Sequence, residues 1–228
     1  MQMDDVINRR AFVRSGLLLT ATVLGAVACT PTPSRETMPS STPAPDSSPA
    51  PSPGSRVMLA YFSRPGENYH YGDRIDLEVG NTQVVAEMIA DAITVDVFRI
   101  EAADPYPDDY EQTVQRNVQE ENDDARPEIA SPLPDLSDYA IVLLGSPVWN
   151  VQTPMIMRTF VENVDLAGKT VHPFATYAVS GMGRVRTDYA QLLPGVTVTE
   201  GLAVQGEVAS QARPNVDAWL RQLGLLGA

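Results

Sequence analysis

The sequence predicts an α/β fold, a doubly wound five-stranded parallel sheet with helices on both faces. Three observations predict it. Strand-like and helix-like segments alternate five times after residue 55, the order expected of parallel strands joined by crossover helices. The strand candidates at 56–62 and 138–145 are continuous apolar runs, as strands covered on both faces require. Loops rich in Ser, Gly, Asn and Thr leave the carboxyl ends of three strands, where ligands bind in open α/β sheets. No internal repeat is visible.

Arg56-Val57-Met58-Leu59-Ala60-Tyr61-Phe62 is the first strand, and Ser63-Arg64-Pro65-Gly66 breaks it. A helix begins near Gly80-Asn81-Thr82, with Asn81 or Thr82 as N-cap; Val85, Met88, Ile89, Ala92 and Ile93 share one face. Residues 94–100 form the second strand. Asp104-Pro105-Tyr106-Pro107 is a turn, and 108–122 a polar surface helix. Asp104, Asp108 and Asp109 gather at its start, where acids favour the helix dipole; nothing marks them as a catalytic pair. A loop at 123–134 leads to the third strand, 138–145, and to Ser146-Pro147-Val148-Trp149-Asn150 at its carboxyl end. Thr153-Pro154 opens the next helix as cap and first-turn proline, with Met155, Ile156, Phe160, Val161 and Val164 on its apolar face. Residues 171–179 are the fourth strand, followed by the loop Ser180-Gly181-Met182-Gly183 and a short helix at 186–193. A less regular fifth strand, 196–204, is interrupted at Gly201. Arg213-Pro214 opens the last helix, with Val216, Trp219, Leu220 and Leu223 facing inward.

Three regions follow from composition: 1–28 a signal, 29–54 a tether, 55–228 one folded domain. Asn8-Arg9-Arg10-Ala11-Phe12-Val13-Arg14 resembles a twin-arginine export motif. The apolar run after it is too short for a comfortable membrane span and is placed as the core of a signal peptide; a short anchor helix is the competing reading. Ala26-Val27-Ala28-Cys29 resembles a bacterial lipobox, which makes Cys29 the lipidated first residue of the processed chain. Residues 30–53 are dominated by Pro, Ser and Thr without an aromatic, a composition that buries too little to fold. They read as a tether holding the domain off a membrane, which gives an exported, lipid-anchored protein facing outside the cytoplasm.

The formal net charge of −13 excludes non-specific nucleic-acid binding. The single cysteine rules out an internal disulfide or a cysteine-ligated cluster. With only two histidines, His70 and His172, a zinc site is not expected; both read as loop or strand-edge residues.

The loop from Ser63 to Thr82 joins a strand to a helix N-terminus and suits a phosphate, through free backbone N–H groups, the helix dipole and hydroxyls. Trp149 offers a platform for a flat ring. The small third loop lets backbone approach a ring edge. On these residues the domain resembles the flavodoxin family, in particular the branch that begins Tyr61-Phe62-Ser63-Arg64 and continues Gly66-Glu67-Asn68-Tyr69 and Gly80-Asn81-Thr82. Leu144-Gly145-Ser146-Pro147-Val148-Trp149 is similar to that family's flavin-stacking loop, and Ser180-Gly181-Met182-Gly183 to its second flavin loop. The resemblance covers the chain from Arg56 onward.

It implies non-covalent FMN. Ser63, Arg64, Asn81 and Thr82 would hold the phosphate, Arg64 as the one cation. Ser146, Pro147, Val148, Trp149 and Asn150 would line one side of the ring, and Thr176, Val179, Ser180 and Gly181 the other side or its pyrimidine edge. The inserted segment 65–79 splits the phosphate loop; Tyr69 and Tyr71 within it either cap the flavin or pack on the surface, and packing is the preferred reading. Tyr177-Ala178-Val179 stands where many relatives have a His-Gly-Gly-like run. The resemblance implies an electron-transfer protein of the cell envelope, with an unidentified redox partner protein or small acceptor. An FMN-dependent NAD(P)H or quinone oxidoreductase is the first alternative, and a binding module that has lost FMN the second.

Overall fold

β1 (Arg56–Phe62) is the strand around which the layers assemble. Val57, Leu59 and Tyr61 point to one side of it and Met58, Ala60 and Phe62 to the other, and all six are buried, so both of its faces are covered. A computed structural model describes residues 56–227. The export signal at 1–28, Cys29 and the tether at 29–54 lie outside the described residues.

β1 pairs in parallel with β4 (Asp96–Ile100) on one side and β5 (Tyr139–Pro147) on the other. β6 (Thr170–Tyr177) follows beside β5, and the short strands β7 (Thr197–Val198) and β8 (Leu202–Gln205) both pair in parallel with β6. The main sheet therefore has five parallel positions, the fifth split in two. Strand order reverses direction between β1 and β5, and a crevice opens at such a reversal beyond the strand carboxyl ends. On one face α1 (Asn81–Ala92) and α5 (Arg213–Gln222) bury Val85, Ile89, Val216, Trp219 and Leu220 against Val57, Leu59 and Leu143. On the other, α3 (Met155–Asn163) and α4 (Val185–Leu192) bring Ile156, Phe160, Val185 and Tyr189 onto Met58, Ala60 and Leu144. α2 (Tyr110–Asn122) is the polar surface helix expected, capped by Asp109, whose carboxylate accepts from Gln112 N at 2.8 Å.

Several expectations need correction. The inserted segment contains an antiparallel hairpin, β2 (Gly66–His70) and β3 (Asp73–Leu77), turning through Tyr71 and Gly72 at positive φ, as tight two-residue hairpin turns demand. α1 is capped by Gly80 rather than by Asn81 or Thr82. A Cβ on Gly80 would lie 2.4 Å from both Ser63 Oγ and Arg64 O, so no larger cap fits. Pro154, not Thr153, precedes the first turn of α3; the Thr153 hydroxyl instead meets the Tyr189 hydroxyl at 3.0 Å. The third strand extends through Ser146 and Pro147 because β6 continues beside it and Val148 N donates to Thr176 O at 2.8 Å. As expected, the fifth strand is interrupted at Gly201, whose φ of 101° and approach to Pro173 O no side chain would tolerate. His172 sits inside β6, not at a strand edge, with Nδ1 2.8 Å from Thr199 Oγ1.

Two outcomes follow from this packing. A Cβ on Gly145 would fall 2.1 Å from the ring of Phe174, which is fully buried. Gly145→Ala is expected to cost about 1–3 kcal/mol through overpacking, read from urea unfolding; wild-type stability would contradict it. Burial pushes the His172 imidazole down to about 4, whereas the unfolded chain takes up its proton near pH 6.5. Its contribution is thus fully present above pH 6.5 and is lost as pH falls to about 4, by up to about 3 kcal/mol. Unfolding free energy should drop less steeply across that window in His172→Gln than in wild type; parallel curves would rule the contribution out.

Candidate functional site

The crevice between β1 and β5 opens into a cleft beyond the carboxyl ends of the strands. Four strand ends build it. From β1 come Ser63 and Arg64; from the hairpin, Asn68 and Tyr69; from the start of α1, Asn81 and Thr82. β5 supplies Pro147, Val148 and Trp149, and β6 supplies Thr176, Tyr177 and Ala178. Tyr110 at the start of α2, and Gly206 and Glu207 after β8, complete the wall.

One end of the cleft is made of uncommitted donors. The hairpin leaves the chain after Arg64 and returns it at Gly80, which packs directly on Ser63 and Arg64. Ser63 Oγ accepts from Gln83 N at 3.1 Å, so it serves as the side-chain cap that Gly80 lacks and keeps its own proton for a ligand. The amides of Asn81 and Thr82 donate to no acceptor among the described residues. Thr82 Oγ1 lies 2.7 Å from Thr176 Oγ1, both buried; this bond ties α1 to β6 across the floor. Two free amides, a hydroxyl and the positive end of α1 form a seat for an anion the size of a phosphate.

The other end is aromatic. Trp149 stands edge-on to Phe62 and Tyr106, with ring centres 5.5 and 5.1 Å away. Burial pushes the Tyr106 phenol upward, and its hydroxyl donates to Glu120 at 2.8 Å, so this support is neutral and anchored. Trp149 begins a tight turn in which Trp149 N donates to Gln152 O and Gln152 N to Trp149 O. Asn150 and Val151 both take positive φ, 46° and 67°. For Val151, a β-branched residue, that conformation is costly. It is held from outside: Arg184 N donates to Val151 O at 2.7 Å and Arg184 Nη2 to Gln152 Oε1 at 2.6 Å.

The structure brings together Ser63, Arg64, Asn81, Thr82, Pro147, Val148, Trp149 and Thr176 from the sequence-predicted set. It places the others elsewhere. Ser146 is fully buried, with its hydroxyl on the Tyr189 side of β5. Asn150 turns to α2, donating to Glu121 Oε2 at 2.5 Å. Val179 is 80% exposed, and neither it nor Ser180 or Gly181 lines the cleft. Their loop does a different job: Gly183 packs on Val151 O and Val148, which locks the turn carrying Trp149. Arg64 is also reassigned. Its Nη1 donates to Pro107 O and Asp108 O at 2.8 and 3.0 Å, and its Nη2 to Glu67 O. Desolvation lowers its pKa, and only Nε–H and one Nη2–H are left over. Its guanidinium fastens the hairpin and is not the free phosphate cation expected.

Sequence reasoning gave no role in the site to Asn68, Tyr110, Gly206 and Glu207; it weighed Tyr69 as a cap on the ring but preferred surface packing, and named Tyr177 and Ala178 only within the second flavin loop. The signals for some were present. Asn68 and Tyr69 lie inside the quoted Gly-Glu-Asn-Tyr run, yet Tyr69 was expected on the surface. Gly206 and Glu207 follow the fifth strand position, where the strand-end rule also applies. Tyr71, by contrast, is 63% exposed, as expected.

An anion seat, an intervening strip with hydrogen-bonding side chains, and an aromatic end fit a ligand that joins a phosphate to a flat ring through a polar chain. The model of the family described as flavodoxin matches residues 77–223. Among solved structures, a candidate flavoprotein of Bacteroides eggerthii DSM 20697 is 30% identical, with 74% of this chain and 98% of that one covered and a TM-score of 0.60. One from Bacteroides uniformis ATCC 8492 is 28% identical, covering 74% and 99%, with a TM-score of 0.59. A flavoprotein of Lactobacillus acidophilus NCFM, solved in complex with FMN, shares the fold at 19% identity, covering 69% and 97%, with a TM-score of 0.51. No curated protein matches this sequence. The family match spans more than half of the chain and includes the start of α1, β5 and β6, which build the cleft; the chain belongs to the flavodoxin family.

Proposed function

We propose that the cleft binds FMN non-covalently and that the protein carries electrons at the cell envelope, tethered by a lipid on Cys29. The observation that carries this reading is the pairing, in one cleft, of an uncommitted helix N-terminus beside Ser63 with the aromatic wall at Trp149. The residues present fit the group. Ser63 Oγ and the Asn81 and Thr82 amides hold the phosphate. Glu207 Oε2, buried without a hydrogen-bond partner, accepts from a hydroxyl of the ribityl chain. Pro147, Val148, Trp149 and Tyr69 enclose the ring, and the backbone of Thr176 to Ala178 meets its edge. The Lactobacillus acidophilus complex with FMN supports the choice of flavin.

Bound flavin supplies reversible electron uptake; the protein sets its position and potential. No acid–base pair in the cleft calls for substrate turnover, which favours electron carriage over the oxidoreductase alternative. The acidic chain, −13 overall, disfavours adding negative charge in the cleft and so lowers the potential. The twin-arginine motif suits this cofactor, because that route exports folded proteins and FMN can be loaded where it is made.

Purified protein mixed with FMN and passed over a desalting column should carry flavin absorbance with it; colourless protein and free FMN would overturn the reading and favour the binding-module alternative. Trp149→Ala should weaken FMN binding by about 1–2 kcal/mol in a fluorescence titration, since the stacking wall is lost while the anion seat stays. Unchanged affinity would remove Trp149 from the site. In a bacterial host with the lipoprotein pathway, wild type should fractionate with membranes and Cys29→Ser should lose that association; equal membrane retention of both would exclude the lipid anchor.

A further inference from the structure

The turn that carries Trp149 runs from the end of β5 at Pro147 to the start of α3 at Met155. It closes on itself through the Trp149–Gln152 pair, and its next three residues are held from the start of α4. Val151 O accepts from Arg184 N at 2.7 Å, and Gln152 Oε1 from Arg184 Nη2 at 2.6 Å. Thr153 Oγ1 lies 3.0 Å from the Tyr189 hydroxyl. The last of these is sealed from water: Thr153 and Tyr189 are both fully buried, whereas Val151 and Arg184 are exposed. At the other end of the turn, Ser146 Oγ is fully buried and faces the same phenol without completing a bond. Desolvation pushes the Tyr189 phenol up to about 12, so the group is neutral and keeps the proton it shares with Thr153.

We infer that Tyr189 is a positioning residue for Trp149: from the core side of α4 it pins the end of the turn and so fixes where the indole stands in the cleft. Tyr189 itself does not line the cleft. The clamp stands on the geometry of the turn alone; its effect on a ligand rests on the flavin reading above. The turn needs holding because Val151 sits at a φ of 67°, a conformation that a β-branched residue takes at a cost. Released, the turn has a cheaper arrangement to relax into, and the Trp149–Gln152 pair opens with it. The Arg184 bonds resist this at the surface, where water competes for both partners. The Tyr189–Thr153 bond has no such competitor, and opening it strands two buried hydroxyls. Phe62 and Tyr106 support the indole from within the core, so Trp149 is gripped between those rings and a turn that Tyr189 locks.

Hydrogen–deuterium exchange reads the clamp directly, because the Trp149 and Gln152 amides are bonded while the turn is closed. Tyr189→Phe keeps the ring and removes the hydroxyl. In that variant both amides should exchange about tenfold faster, the factor that one buried hydrogen bond can carry, while the β1 amides keep their wild-type protection. Thr153→Val should do the same, and the double variant should exceed neither single, since both remove one bond. Tyr139→Phe is the control. It removes a different tyrosine hydroxyl, bonded to Asp96 at 3.0 Å at the other end of β5, and should leave exchange in the turn unchanged. In a fluorescence titration Tyr189→Phe should weaken FMN binding about threefold to tenfold, and Tyr139→Phe should not weaken it. Four outcomes overturn the inference: turn amides at the wild-type rate in Tyr189→Phe, β1 amides that speed up equally, a double variant whose effects add, or faster turn exchange with unchanged FMN affinity. Wild-type protein that takes up no FMN overturns the flavin reading instead, and the exchange measurements then decide the clamp without it.

Discussion

The contact of Gly80 with Ser63 and Arg64 is the constraint on which the cleft depends. A strand that feeds a helix directly makes an anion seat by chain continuity. Here the hairpin separates the two halves, and continuity is replaced by packing. Gly80 has no Cβ, so its backbone can press on Ser63 and Arg64 at a distance no other residue allows. Ser63 Oγ then reaches Gln83 N and caps the helix from across the gap. The cap that is absent from position 80 is supplied by the strand end, and the next two amides are left pointing into the cleft. The Thr82–Thr176 bond fixes the same helix start to β6, which sets the distance from the anion seat to that strand.

The aromatic end has its own constraint. A tight turn with two positive-φ residues normally carries Asn-Gly, and this one carries Asn150-Val151. The strain at Val151 persists because the neighbouring loop over-determines it, through Arg184 and through the close approach of Gly183. Trp149 is thereby held between that turn and the rings of Phe62 and Tyr106. A platform meant to receive a flat ligand gains from such rigidity, since little side-chain freedom is left to lose on binding.

Most of the sheet was legible, because its strands are buried on both faces and their apolar runs state that burial directly. β1 was read to its last residue, and the alternation of strands and helices gave the architecture. The hairpin was not legible. β3 reads Asp-Arg-Ile-Asp-Leu and is almost wholly exposed, so it carries no inside–outside alternation; its order comes from Tyr71, Arg74 and Glu67 bonds to residues far along the chain. The cleft was half legible. Strand-end positions such as Pro147 to Trp149 follow from topology, whereas Val179 to Gly181 fall outside the cleft wall, since a glycine loop looks the same whether it approaches a ligand or another stretch of backbone. Here it approaches Val151. Arg64 was misread for a related reason: a cation near an expected anion suggests a pair, but three carbonyls outcompete it.

That reassignment changes the electrostatics of the cleft. With the Arg64 guanidinium turned to carbonyls, the anion seat is built from dipoles: two amides, one hydroxyl and the end of α1. Such groups stabilise a phosphate without adding a full positive charge. Arg64 nonetheless keeps its charge at the cleft wall, so the field of the acidic chain is partly offset there. The same arginine, by holding Glu67 and the Pro107–Asp108 backbone, fixes the base of the hairpin beside the cleft. One side chain that lines the cleft is thus placed for structure, with little left to hold a ligand.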